Sequence, residues 1–386
     1  MKKTILATAI AGVFGAVATG AQAVTVYNQD DTKVDLYGSL ELAVGSEEVA
    51  QNDSAGNYIG TDSESQLFDN GSTIGFAGEH VINPSLVGYF QAEFEFAADD
   101  MKDGNGLDSG DNAYLGMKGD FGDVRVGSWD PLINDWVEDP ITFDESYAIT
   151  SGITGGDSGV DEGNKVTYTS PVMSGLQFAV GTNYIGDGDR IVKAFDGDRI
   201  VKAFDGGESI NVKADGNASF YTGLRYMVGD VVLSAAYDNL DNYEVTNAAG
   251  NVDDYGDQYG VSAAWQATDA FYIAVKAEQF DGDYADRSDV SYYGLGASYD
   301  YGMGSLYGTY QNVDAERNAI TFFEESASSE LVSLRTSGSG DESYNEIMLG
   351  ATYNISSQMY VWVEGRQLDR EDDLGDGYGT GITYQF

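Results

Sequence analysis

The chain ends in the middle of an apolar row, and this restricts its fold more than any other stretch. Asp376 to Phe386 reads DGYGTGITYQF. Tyr378, Thr380, Ile382, Tyr384 and Phe386 fall on one face at period two, and Gly377, Gly379, Gly381, Thr383 and Gln385 on the other. A strand that is bulky and apolar on one side and small or polar on the other divides two media. Chain termini tend to fray, so a terminal aromatic in such a row needs a partner strand. In a closed barrel within a membrane, the last strand pairs with the first and no edge is left open.

Sixteen segments carry strand patterning: 33–45, 72–81, 86–97, 112–119, 122–128, 165–170, 175–183, 218–228, 231–237, 257–267, 270–280, 290–301, 304–313, 344–355, 358–368 and 376–386. Connections between them alternate between short turns and long acidic or glycine-rich loops, of which 46–71 is the first. That alternation marks an up-and-down barrel with turns on one rim and loops on the other. Aromatics gather near strand ends on the apolar face (Phe76, Phe94, Phe96, Phe271, Phe386), where interfacial girdles belong. The expectation is an all-β chain: a 16-stranded antiparallel up-and-down transmembrane β-barrel, a single domain over 24–386. A soluble all-β sandwich or repetitive adhesin is the alternative, and the regular placement of the long loops weighs against it.

The N-terminus reads as a secretory signal over 1–23. Lys2 and Lys3 precede an apolar stretch, Ile5 to Ala18, and Ala21-Gln22-Ala23 is a small-x-small cleavage site. A first membrane helix is the weaker reading, because Gly12 and Gly15 break a short run. Beyond it no apolar run reaches the roughly 18 residues of a spanning helix. Fifty glycines, 27 tyrosines and only 4 prolines suit many strands joined by turns.

With no cysteine there is no thiolate nucleophile, disulfide or Cys-based zinc site. His80 is the single histidine, and carboxylate pairs are too common to mark a catalytic one. Asp99 to Asp108 lacks the third-position calcium ligand, where Met101 stands. No enzyme and no cofactor is predicted. A net charge of −45 repels nucleic acid and attracts cations. One nine-residue unit, DRIVKAFDG, occurs at 189–197 and again at 198–206, a tandem duplication within a loop.

The ordered motifs Val24-Thr25-Val26-Tyr27-Asn28, Lys33-Val34-Asp35-Leu36-Tyr37-Gly38, Ser72-Thr73-Ile74-Gly75-Phe76-Ala77-Gly78-Glu79, Gly88-Tyr89-Phe90-Gln91-Ala92-Glu93, Ala113-Tyr114-Leu115-Gly116-Met117, Gly119-Asp120-Phe121-Gly122, Tyr168-Thr169-Ser170-Pro171 and Tyr384-Gln385-Phe386 span the whole chain after the leader. In this order the chain resembles a Gram-negative general porin, nearest to the outer-membrane porins of marine vibrio-type bacteria. The resemblance implies a homotrimer in the outer membrane, in contact with lipid and lipopolysaccharide. It also implies a terminal aromatic, Phe386, read by the barrel-assembly machinery, and a third loop, 129–164, folded inward as the constriction.

Enteric porins carry a ladder of basic wall residues facing loop acids. By the same motifs those basic positions fall on Ser39, Thr73, Ser128 and Thr169, all hydroxyl residues here, while a wall acid is kept as Glu93. A bulge at Gly127 would let Arg125 supply the one nearby wall cation. The loop offers Asp130, Asp135, Glu138, Asp139, Asp144 and Glu145. These residues together predict a passive, cation-preferring pore for ions and small hydrophilic solutes. The alternatives are a substrate-specific channel, for a sugar for instance, or an acidic surface or adhesive protein without transport.

Overall fold

The computed structural model describes residues 23–52, 58–99, 107, 112–149, 163–184, 200–203, 209–213, 218–247, 249–286, 288–316, 320–323, 332–335, 342–370 and 374–386. The proposed signal segment, the first copy of the duplication and most of 99–108 lie outside these residues.

Sixteen strands close an antiparallel barrel. They are β1 (Thr32–Asn52), β2 (Tyr58–Asp69, resuming as Thr73–Asn83), β3 (Leu86–Glu95), β4 (Ala113–Gly119), β5 (Gly122–Ser128), β6 (Lys165–Thr169), β7 (Leu176–Tyr184) and β8 (Ala218–Val228). The second half is β9 (Val231–Asp238), β10 (Gly256–Gln266), β11 (Phe271–Gly282), β12 (Val290–Asp300), β13 (Ser305–Ala315), β14 (Glu342–Asn354), β15 (Met359–Leu368) and β16 (Gly377–Gln385).

The seam closes as the C-terminal stretch requires. Strand β16 pairs with β15 on one side and with β1 on the other, from Ser39↔Gln385 to Glu47↔Gly377. Phe386 exchanges two backbone hydrogen bonds with Gly38, each 3.0 Å long. Its ring lies over that glycine, where a Cβ would come within 2.9 Å. Below this point Val24–Gln29 continues the seam, pairing with the start of β1 across a tight turn at Asp30 and Asp31. Both turn residues have positive φ, 51° and 59°, the geometry of the hairpin turn that matches strand twist.

One expected loop is a correction. The polar stretch 46–71 is not a loop, because β1 runs on to Asn52 and Tyr58–Asp69 pairs along it. Above the apolar belt there is no lipid face to impose alternation, so a ladder of Ser, Glu and Thr carries no period-two signal.

The outer surface is an apolar belt edged by aromatics. Phe220 and Tyr226, Tyr259 and Trp265, Tyr293 and Tyr299, and Tyr378 and Tyr384 are exposed pairs on four strands. Each pair is spaced six residues apart, roughly 20 Å of strand at about 3.4 Å per residue.

The interior is not uniformly polar. At the loop end of β11 to β15, inward-facing Phe280, Val290, Tyr292, Val313, Tyr344 and Leu368 join Leu240, Tyr243, Val245 and Tyr255 of the fifth loop (239–255) in one cluster. These side chains are at most 4% exposed, and burying each one contributes about 1.5–3 kcal/mol. Backbone pairing extends the fifth loop into a four-stranded outer sheet of Ile200–Ala203, Ser209–Val212, Tyr243–Thr246 and Val252–Asp254. The second copy of the duplicated unit supplies its edge strand.

Candidate functional site

The third loop enters the barrel at Trp129 and follows the inner wall from β7 round to β1. It makes one helical turn at Asn134–Glu138, where Asp139 N donates to Asn134 O across five residues at 3.0 Å, a π-type turn. Its apolar side chains seat on wall positions that have none. Trp136 and Leu132 cover Gly223, Val137 covers Gly260, Ile141 covers Gly294 and Gly296, and Tyr147 fills a socket of Gly45, Gly377 and Gly379. A Cβ at any of these would come within 2.1–2.9 Å of the loop. The small inner face of β16 is therefore a seat for the loop. It receives Tyr147, which is fully buried and donates from Oη to Tyr378 O at 2.8 Å.

One wall carboxylate fastens the end of this track. Glu364 on β15 accepts the backbone N–H groups of Glu145 (2.5 Å), Ser146 (2.8 Å) and Tyr147 (2.9 Å), and the Tyr307 hydroxyl at 2.6 Å. Four donors converge on two oxygens, an arrangement only an ionised carboxylate satisfies in full.

Besides Arg125, the sequence comparison passed over Lys165, Arg225, Lys276 and Arg366, which face inward and hold the loop or its rim. Lys165 donates to Trp129 O at 3.1 Å, and Arg225 to Asp135 O at 3.0 Å. Lys276 lies between Glu138 (3.3 Å) and Glu278 (2.9 Å). Arg366 pairs with Glu47 and donates to Ala148 O at 2.7 Å. None is more than 7% exposed. The signal that could have found them is parity, since Lys276 and Arg366 lie opposite the apolar row of their strands. Arg125 is half-buried, its guanidinium 4.1 Å from the Trp129 ring and 4.8 Å from the Tyr114 ring.

The expected wall residues fall as follows. Ser39 and Thr73 face inward, their hydroxyls 3.4 Å apart. Glu93 is on the inward face of β3 beside Tyr37, and Thr169 shares the inward parity of Lys165 and Thr167. Ser128 does not belong with them. The β4–β5 ladder runs past Gly127 without a register shift, and Ser128 sits opposite Ala113 on the outward parity. The expected bulge is absent, and Gly127 instead absorbs the local twist at φ 145°.

On the loop, Glu138 is turned to the wall and buried against Lys276, so it is not a lining acid. Asp139 and Asp144 are exposed toward the lumen, and Asp130, Asp135 and Glu145 are half-exposed. Glu145 accepts the Tyr360 hydroxyl at 2.7 Å. Loss of water inside the barrel pushes the Glu145 carboxyl up to about 8, with Glu364, Glu41 and Asp144 adding repulsion. The same loss of water raises Asp135 and, with repulsion from Asp135, Asp130 and Glu138, lifts Asp139 further, although its carboxylate opens on the lumen.

A closed barrel with an apolar outer belt, narrowed from within by its own third loop, defines a membrane pore. The chain belongs to the Gram-negative porin family, which it matches over residues 7–373. It is 45% identical, over the full length of both chains, to a "Monosaccharide porin" of a Halomonas species and to the "Major outer membrane protein" of Halomonas elongata. Among solved structures it shares its fold with an anion-selective porin from Comamonas acidovorans (TM-score 0.62, 18% identity, 92% of this chain and 100% of that one). Salmonella typhi OmpF, in complex with daunomycin, superposes with a TM-score of 0.62 at 21% identity, over 94% of this chain and 100% of that one. The trimer form of Vibrio cholerae OmpT does so at 0.56 and 16% identity, over 92% and 100%. The protein is thus an integral, passive channel of the Gram-negative outer membrane and not an enzyme.

Proposed function

We propose that the channel prefers cations and passes small neutral hydrophilic solutes, monosaccharides among them, and that it works as a homotrimer. The observation that carries this reading is the unequal fate of the lumen charges. Lys165, Arg225, Lys276 and Arg366 are covered by the third loop, whereas Asp130, Asp135, Asp139, Asp144 and Glu145 stay half-exposed or exposed. Carboxylates in a low-dielectric constriction raise the local concentration of cations and repel anions. The hydroxyl wall is neutral and hydrogen-bonding, which suits sugars, and the name of the Halomonas relative points the same way. The OmpT trimer supports the oligomeric state, which an SDS-resistant band at three times the monomer mass checks.

Liposome swelling tests the solute preference. Lysine and glucose should enter faster than glutamate, with rates linear in concentration; faster entry of glutamate than of lysine would refute the reading. The wall positions are tested separately. Ser39→Arg with Thr73→Arg sets two guanidinium groups opposite the loop acids, and cation preference should fall or reverse in a salt gradient. If selectivity does not move, these residues are not at the narrow point.

A further inference from the structure

The interior of β11 to β15 breaks the rule that a pore lumen is polar. Phe280, Tyr292 and Val313 point inward at the loop end of the barrel and are fully buried. The fifth loop packs into the same buried cluster. Tyr255 lies 5.0 Å from the Phe280 ring, centroid to centroid, and Tyr243 lies 6.4 Å from Tyr255. The loop leaves β9 and returns to β10, yet its apolar face joins a cluster that reaches β15. At about 4.8 Å between neighbouring strands, that cluster covers roughly 20 Å of the barrel's arc. The loop's first strand alternates, with Tyr243 and Val245 buried and Glu244 half-exposed, while its second strand, Val252–Asp254, is exposed throughout.

We infer that the fifth loop is a second, permanently docked inward loop that closes the outer mouth over β11 to β15 and, through Asn242 on Asn183 and Ser219, over β7 and β8, so that solutes enter only on the β1 to β6 side, past its acidic outer face. The third loop then sets the narrow point, and the fifth sets which half of the vestibule reaches it. Steric closure follows from the apolar seat, since water wets exposed Phe, Val and Tyr poorly and the seat is dry only while the loop covers it. The acidic side faces the remaining entrance and adds to the attraction of cations before they meet the constriction.

The chain has no cysteine, so single-cysteine accessibility reads the docking directly. Val313→Cys in the otherwise full-length channel should resist a charged methanethiosulfonate reagent added from outside, while Asp253→Cys reacts readily. Replacing 243–254 by two glycines should make Val313→Cys reactive and raise single-channel conductance about twofold. Ready labelling of Val313→Cys in the full-length channel would overturn the inference. So would unchanged conductance in a truncated barrel that still shows heat-modifiable migration. If truncation prevents assembly, the full-length labelling result decides alone. Both readouts concern the vestibule and are independent of whether the pore prefers cations.

Discussion

Glu364→Ala should release the end of the third loop and give a wider, noisier pore. Three backbone N–H groups and the Tyr307 hydroxyl lose their shared acceptor, and each buried donor left unpaired costs about 1–3 kcal/mol. That penalty falls on a segment otherwise held there by Tyr147 in its glycine socket and by Arg366 on Ala148 O. The barrel strands lose no ladder hydrogen bond, so heat-modifiable migration should stay normal. Single-channel recordings should show unit conductance raised roughly twofold with added open-state flicker, since the loop sets the narrow cross-section. Glu364→Gln should fall between, because an amide offers one acceptor oxygen where the carboxylate offers two. Wild-type conductance and noise in Glu364→Ala would mean that the loop is held elsewhere.

Gly296→Val should act in the opposite direction. A Cβ there would lie 2.1 Å from the carbonyl oxygen of Ile141 and 2.7 Å from its Cα. These are backbone atoms, which cannot turn aside as a side chain can. The loop must lift off the wall, and the only free space is the lumen. Conductance should drop by about half, and sugar entry should fall more steeply than ion flow, because a narrower pore discriminates by size. The same substitution at Gly302, in a turn where a Cβ meets nothing within 4 Å, is not a neutral control, because its φ of 93° disfavours any side chain. Gly88→Ala is the better one, with its nearest neighbour 3.6 Å away. The opposite signs of the two predictions distinguish a seated loop from a generally fragile barrel.

Much of the barrel was readable from residues alone because lipid imposes a strict rule on one face. Leu36, Leu40 and Val44, or Ile382 and Tyr384, could not alternate as they do without an apolar medium beside them. Where that medium ends, the rule ends, and 46–52 and 58–69 read as loop although they pair as strands. The inner face follows a second rule that involves partners far away in sequence. Gly377 and Gly379 are small because Tyr147 needs their space. Lys276 is charged because Glu138 of the third loop is buried against it. Phe280 and Tyr292 are apolar because the fifth loop covers them. Each is legible as an exception to the polar-in pattern, but the partner that explains it appears only when the chain is folded. The missing basic ladder illustrates the point. The four aligned positions do hold hydroxyl residues, while Lys165, Arg225, Lys276 and Arg366 stand elsewhere on the wall and hold the loop.

Carboxylates stand on the open side of the constriction, whereas Lys165, Arg225, Lys276 and Arg366 are covered and Arg125 is half-buried against Trp129. The reversal potential in a potassium chloride gradient across a planar bilayer tests this arrangement most directly, measured at pH 6 and at pH 9. Glu145 titrates at about 8, and Asp135 and Asp139 are also raised. A raised carboxyl is neutral below its pKa and charged above it, so Glu145 gains negative charge as pH rises from 6 to 9. The potential should have the sign carried by potassium at both values and be larger at pH 9. A potential of the sign carried by chloride, or a potassium preference that shrinks as pH rises, would contradict it.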